Sequence, residues 1–350
     1  MKEYNTVAPD SAVPILGQTM GAVRFAGLGR YLPERIVPSS EVAELCGVPL
    51  SVVEERSGVR QRRWANQQAG ETASGMGAKA AFEALADVGI EADELDLIIN
   101  ASGTPEQIIP DGAALIQLEM GLGGSGIPCM SVHTTCLSFL NAVDVAASFL
   151  NGGRYERILI VSSDLPSVGL NFEQPESCSL FGDAAAAAVL VRSDDHQSSC
   201  LEAIHFETYG KGAHLTEVRG CGTRLHPNKE NMNRKDNLFD MKGPQVLMMA
   251  LQHAPSFFEN IKPGLSQGPT DIDLLIAHQP SAAGLAAFGR FGWHNEQIVQ
   301  TLENLGNCVA ASIPCTLYEA VKTQRLNRGD RFLMVGTGAG LSLGGIIGVY

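Results

Sequence analysis

A unit of strand, helix and strand occurs twice in this 350-residue chain, and a duplicated unit of that kind folds by stacking its two copies on a shared core. Glu94 to Asn100 reads as a buried strand behind the helical pattern Glu71 to Val88. Asp271 to His278 repeats it behind a second helical pattern, Gly243 to Ile261. About 35 to 40 residues beyond each strand a helix opens at a cysteine, first Cys136 and then Cys308. Each of these helices leads into another apolar strand, Arg157 to Ser163 and Arg331 to Thr337. Continuous apolar strands alternating with helices predict an α/β fold with mostly parallel core sheets, covered on both faces. Ligands of such sheets gather beyond the carboxyl ends of the strands, which places Asn100, Ser163, His278 and Thr337 around a site. The polar stretch Ser193 to Ser199 is the natural seam. It divides the chain into halves at 21–195 and 196–350, with residues 1–20 as an N-terminal extension.

Composition narrows the setting. With 45% hydrophobic residues the chain can bury a large core, and a formal charge of −13 argues against nucleic acid as a partner. The longest apolar run, Ala184 to Val191, is the length of a strand and far short of the roughly 20 residues that span a bilayer, so no membrane is expected. The start, Met1-Lys2-Glu3-Tyr4-Asn5, lacks the features of a signal peptide. Eight scattered cysteines without metal-ligand spacing suit reduced thiols in a cytoplasm, and no metal site is expected.

Cys136 stands apart from the other thiols. In Ser131-Val132-His133-Thr134-Thr135-Cys136-Leu137-Ser138 a polar segment ends at the thiol and a helical pattern follows. A helix start favours thiolate through its unpaired N–H groups and dipole, which would make Cys136 a nucleophile. Packing alone is the competing explanation. His278 ends a strand and precedes Gln279-Pro280, and the repeat brings it towards Cys136. Asn307 precedes the second central helix, where a capping role would also account for it. The glycine-rich segments Phe181-Gly182-Asp183 and Gly336 to Gly345 match no phosphate loop. The second lies between two strands, where its backbone could serve an oxyanion or simply turn a hairpin.

Together these segments resemble the β-ketoacyl-acyl carrier protein synthase III family of thiolase-like condensing enzymes. The resemblance runs over roughly residues 22–350 and includes Gly27 to Glu34, Arg56 to Arg62, the nucleophile helix, Phe181-Gly182-Asp183, His278-Gln279, Gly306-Asn307 and the C-terminal hairpin. It implies a thiolase-like duplicated αβαβα layered fold and a Cys136, His278, Asn307 site. The oxyanion hole would be the backbone N–H groups of Cys136 and Ala339. Cys136 would take an acyl group from a thioester; a malonyl-type or β-ketoacyl thioester would then supply the carbon nucleophile by decarboxylation, with His278 Nε2 and Asn307 Nδ2 donating to the enolate oxygen. No permanently bound cofactor is implied. The substrate carriers would be coenzyme A or the phosphopantetheine of an acyl carrier protein, and the chain would form a homodimer.

Departures from the family pattern bear on substrate delivery. Val52 and Val168 stand where relatives sandwich the coenzyme A adenine between tryptophan and arginine, although Arg56 still matches the residue near the nucleotide. Ala283 and Met248 replace cations used for carrier docking, leaving Arg290 as the candidate contact. Ile109, before Pro110, matches the residue that reaches across the dimer to shape the partner's acyl pocket, and its size would admit a longer or branched acyl chain. The stretch Tyr209 to Asp240 is long for a connection and reads as a lid or as disorder; its His214 and His226 read as surface residues.

The leading expectation is carbon–carbon bond formation in specialised or fatty-acid-derived metabolite biosynthesis. Transfer of the acyl group to a hydroxyl or amine uses the same thiolate, but it does not need Asn307. A non-catalytic subunit of a heterodimeric synthase would not need Cys136, His278 and Asn307 intact. A glutaminase or cysteine protease also begins from Cys and His, yet neither accounts for the duplicated halves.

Overall fold

A computed structural model of the chain describes residues 23–193, 199–230 and 232–350. The proposed extension 1–20 and the centre of the proposed seam, 194–198, lie outside the described residues.

Two sheets form, and they are built alike. The five-stranded sheet runs in the order Val23–Tyr31, Ala184–Arg192, Arg157–Asp164, Leu97–Asn100, Cys129–Ser131. The four-stranded sheet runs Cys200–Thr208, Ser342–Val349, Arg331–Gly338, Leu274–Ala277. Read in those directions the first four strands correspond one to one. The parallel bridge between Leu275 and Ile298 stands where the first sheet has its fifth strand.

Strand direction corrects part of the sequence expectation: the sheets are mixed, not mostly parallel. Leu97–Asn100 pairs in parallel with Cys129–Ser131 and with Arg157–Asp164, and Leu274–Ala277 with Arg331–Gly338. The pairings of Val23–Tyr31, Ala184–Arg192, Ser342–Val349 and Cys200–Thr208 are antiparallel. Ala184–Arg192 is apolar throughout because both its faces are covered. Ala185, Ala187 and Val189 pack with the outer helix Ala73–Val88, while Ala188 and Leu190 face the central core. An unbroken apolar run therefore reported double coverage, which central antiparallel strands share with parallel ones.

The layers follow from those faces. Helix Ala73–Val88 covers the first sheet and helix Gly243–Ile261 the second. Between the sheets lie Ser138–Asn151 and Ser312–Lys322, whose Phe139, Leu140, Val143, Ile313 and Leu317 share one core with strand residues of both sheets. This is the duplicated five-layer αβαβα arrangement. Among the described residues no helix is long and apolar enough to cross a membrane, and no group of His, Cys, Asp and Glu is placed to hold a metal ion.

Tyr209 to Asp240 is folded over its described length. Thr216–Glu217 pairs with Asp240–Met241, Phe239 N donates to Gly169 O at 2.9 Å, and Phe239 packs edge-on against Phe181 at 4.7 Å. The disorder reading of this stretch is thereby replaced by a cover tied to the first half. His214 and His226 are surface residues, as expected.

Candidate active site

Cys136 lies in a three-residue 3-10 turn, Thr135–Leu137, with the α-helix proper starting at Ser138. The turn is closed by the Ser138 hydroxyl, which accepts from Thr134 N at 3.0 Å and donates to Thr135 O at 2.7 Å. Thr135 takes the left-handed φ of 52°, uncommon for a β-branched residue. That twist swings the chain from strand direction into the helix and leaves Cys136 at the apex.

Burial works against the thiolate that the helix start favours. Burial pushes the Cys136 thiol up to about 12; the nearby Asp164 adds to the effect, and the residue's own backbone N–H opposes it. The physical reason is burial: Cys136 lies directly ahead of helix Ser138–Asn151 and packs against an apolar cluster that includes Phe181 and Val309, where loss of solvent outweighs the pull of the helix start. Cys136 remains partly exposed and so reachable by substrate. At rest it is a thiol.

His278 follows directly on Leu274–Ala277 and is fixed by its backbone N–H to Val335 O at 2.8 Å. Gly336 makes room for it, since a Cβ there would meet His278 Cβ at 2.8 Å. Gln279 explains the His-Gln pair: its amide donates to Ala277 O and Val299 O and accepts from the N–H groups of Thr301 and Leu302, so the loop behind the histidine is tied at each end. Burial pulls His278 down to about 4, making it a neutral imidazole at physiological pH. Its Nδ1 is buried with no hydrogen-bond partner.

Asn307 is held from behind by Phe181-Gly182. Asn307 N donates to Leu180 O at 2.7 Å, and Gly182 N donates to Asn307 O at 3.2 Å. The two segments cross so closely that a Cβ at Gly182 would sit 2.1 Å from Leu305 O, which is why glycine is required there. Asn307 Oδ1 accepts from Val309 N at 2.9 Å. The capping role is thus real, and it consumes only the oxygen; the amide nitrogen is left to donate elsewhere.

Asp164 is a site residue that sequence reasoning passed over. It ends strand Arg157–Asp164, is fully buried, and accepts from Gly103 N, Thr104 N, Thr104 Oγ1 and, across the two halves, Ala311 N at 3.1 Å. Burial pushes its carboxyl up to about 7 against the pull of those donors. The signal was present as a carboxylate closing an apolar strand one residue beyond Ser163. Asp183 of the Phe-Gly-Asp segment plays a similar structural part, accepting from Ala65 N, Ser167 N and Ser167 Oγ.

Ala339 lies in the tight connection between Arg331–Gly338 and Ser342–Val349, next to the nucleophile turn: its N–H donates to Thr135 Oγ1 at 3.0 Å. The glycine-rich segment is therefore a hairpin, and its backbone reaches the residue before Cys136.

The remaining candidates stand on the outside. Arg56 is exposed on the last turn of helix Leu50–Ser57, which packs on Ala282–Ala286, the short helix bearing exposed Ala283. Arg290 is exposed shortly beyond it. Val52 is half-buried, while Val168 and Met248 are each 67% exposed. Ile109, in the loop before helix Gly112–Glu119, is 83% exposed.

Comparison with known proteins agrees with this architecture. Residues 130–210 match the family described as 3-oxoacyl-[acyl-carrier-protein] synthase III, and residues 266–350 match its C-terminal part. The chain is 31% identical to β-ketoacyl-[acyl-carrier-protein] synthase III of Syntrophomonas wolfei over 93% of its length and 96% of that protein. The crystal structure of 3-oxoacyl-[acyl-carrier-protein] synthase III from Aquifex aeolicus is similar with a TM-score of 0.82 and 28% identity, covering 94% of this chain and all of that one. An OleA variant of Xanthomonas campestris has the same TM-score at 22% identity, over 95% of this chain and 99% of that one, a likeness of fold. This chain belongs to the β-ketoacyl-acyl carrier protein synthase III family of thiolase-fold condensing enzymes, and is an acyltransferase of that type.

Proposed function

We propose that Cys136 accepts an acyl group from a thioester and passes it to a carbon nucleophile made by decarboxylation of a malonyl-type thioester, with His278 and Asn307 as the enolate-binding pair. In the first half-reaction the Cys136 sulfur attacks the acyl carbonyl, the carrier thiol leaves with the proton, and the N–H groups of Cys136 and Ala339 bind the intermediate oxyanion. In the second, carbon dioxide departs and the enolate oxygen is held by His278 Nε2 and Asn307 Nδ2. The enolate carbon then attacks the acyl-Cys136 carbonyl and expels the Cys136 thiolate, which takes a proton from solvent, and a β-ketoacyl product leaves.

The observation that carries this reading is the commitment of Asn307 Oδ1 to Val309 N, which leaves the amide nitrogen as a donor. A neutral His278 supplies a second donor that holds an anion without protonating it. Simple transfer to a hydroxyl or amine has no use for that pair.

The rim favours a carrier-protein donor over free coenzyme A, because Val52 and Val168 offer apolar contact where a nucleotide would need stacking or charge. Arg56 and Arg290 are the cations available there to phosphate or to an acidic carrier. Homodimerisation is supported by Cys129–Ser131, an edge strand of the five-stranded sheet, and by exposed Ile108, Ile109 and Leu118. Ile109 is then the residue that shapes the partner's acyl pocket. The division at 21–195 and 196–350 is supported by the two matching sheets.

Intact-mass measurement after exposure to matched acyl-CoA and acyl-carrier panels tests the reading, followed by malonyl thioester with product analysis. The expected result is a Cys136 adduct from the carrier series and a β-ketoacyl product. An adduct that never yields a new carbon–carbon bond would refute condensation, and equal acylation by coenzyme A thioesters would refute the carrier preference.

A further inference from the structure

The residue before the nucleophile carries a hydroxyl that occupies the second oxyanion donor. Thr135 Oγ1 accepts from Ala339 N at 3.0 Å and itself donates to Thr134 O at 2.7 Å. The hydroxyl is pressed against the hairpin, since a Cβ on Gly338 would meet it at 2.9 Å. The Cys136 N–H, by contrast, opposes the rise of its own thiol. Of the proposed pair of donors, that of Ala339 is already taken.

The twin turn in the second half lacks this hydroxyl. Val309 stands there at the same φ of 52°, with the isosteric side chain, so the threonine is not needed to form the turn. Val309 makes the same turn without a hydroxyl, so the turn leaves the oxygen of Thr135 unaccounted for.

We propose that the Thr135 hydroxyl is a resident occupant of the oxyanion hole, which the carbonyl oxygen of an incoming acyl thioester must displace from Ala339 N–H. This rests on the acylation of Cys136 proposed above. Displacement makes loading slower than an open hole would allow. After loading, the hydroxyl returns to Ala339 N–H, and the acyl-Cys136 carbonyl is left with one polarising donor fewer while it waits for the carbon nucleophile. Water then attacks it more slowly. Thr135 is a positioning residue in this account, acting through Ala339 rather than on the substrate.

Thr135→Val removes the oxygen and keeps the shape; Thr135→Ser keeps the oxygen. Single-turnover acylation of Cys136 followed by mass is expected to be about threefold to tenfold faster in Thr135→Val, the range set by losing one neutral hydrogen bond. Hydrolysis of its acyl-enzyme without malonyl thioester should rise similarly, and hydrogen exchange at the peptide spanning Ala339 should quicken. Thr135→Ser should behave as the parent in each assay. Equal or slower acylation in Thr135→Val overturns the proposal while leaving acylation of Cys136 intact. Absence of any Cys136 adduct in parent and variants alike removes both readings, and an altered Thr135→Ser with unchanged Ala339 exchange assigns the residue to turn structure alone.

Discussion

Thr134–Ser138 and Cys308–Ser312 close with the same hydrogen bond, from the first backbone N–H to the serine hydroxyl four residues on, at 3.0 and 2.9 Å. Thr135 and Val309 share a φ of 52°, and each turn runs through a 3-10 segment into a central helix. Aligned on those serines, Cys136 faces Ala310 and His133 faces Asn307. The sequence repeat had paired Cys136 with Cys308, an offset of two residues, because cysteine was the visible mark and backbone geometry was not. Cys308 is fully buried, its sulfur directed to Leu305 O at 3.5 Å and its thiol held far above the usual range by burial. The duplication thus copied a scaffold, and the proposed chemistry falls at different points of each copy: the proposed nucleophile Cys136 at the apex of one turn, the amide of Asn307 one residue ahead of the other.

Exchanging the thiols breaks the comparison most sharply. Cys136→Ser should lower acylation by more than about a thousandfold, since a serine hydroxyl lacks both the nucleophilicity and the leaving ability of sulfur. Cys308→Ser should leave acylation within about twofold and lose stability instead, measured by mass and by denaturant melting on the same preparations. Next in size, Asn307→Ala should cost condensation on the order of a hundredfold while Cys136 still loads, because the amide acts on the enolate alone. Equal loss in both half-reactions would show that Asn307 serves the turn and not the chemistry.

Asp164→Asn is a smaller perturbation that tests what joins the copies. An amide nitrogen in place of the oxygen facing Ala311 N sets donor against donor, and about 1–3 kcal/mol of stability should be lost. Titration separates the halves further. His278 is held down to about 4, so between that value and the unfolded value of about 6.5 the unfolded chain takes up more protons, and stability falls as pH falls through this window. Asp164 is held up to about 7, so its contribution is complete below about 4 and is lost as pH rises through 7. Over about 4 to 6.5 the two contributions oppose each other, so His278→Gln should leave a stability that falls as pH rises towards 7 and Asp164→Asn one that rises with pH up to about 6.5; identical curves would dissolve the assignment of one titrating group to each half.

The duplicated framework was legible in sequence because burial writes itself as apolar runs: Gly243 to Ile261 was read with its observed bounds, and both central helices were found. Strand direction was not legible, since Ala184–Arg192 is alanine-rich and buried on both faces whichever way it runs. Cys136 stood out at a helix start, whereas a strand end and a capping position left His278 and Asn307 open until the family resemblance set them beside it. What could not be read was the state of the thiol, which depends on how much solvent surrounds it, or the parts of Thr135 and Asp164, whose meaning lies in partners 204 and 147 residues away.

Asp164 reaches from the end of a first-half strand to the N–H of Ala311 at the mouth of the second central helix. Shear between the halves would strain that bond, which joins two fully buried residues. The floor of the proposed site is accordingly tied across both halves, and the proposed margin, with Val52 and Val168, is where a change in accepted substrate would cost the fold least. A chain of this construction can change its substrate by redrawing its rim, while the chemistry beneath stays rigid.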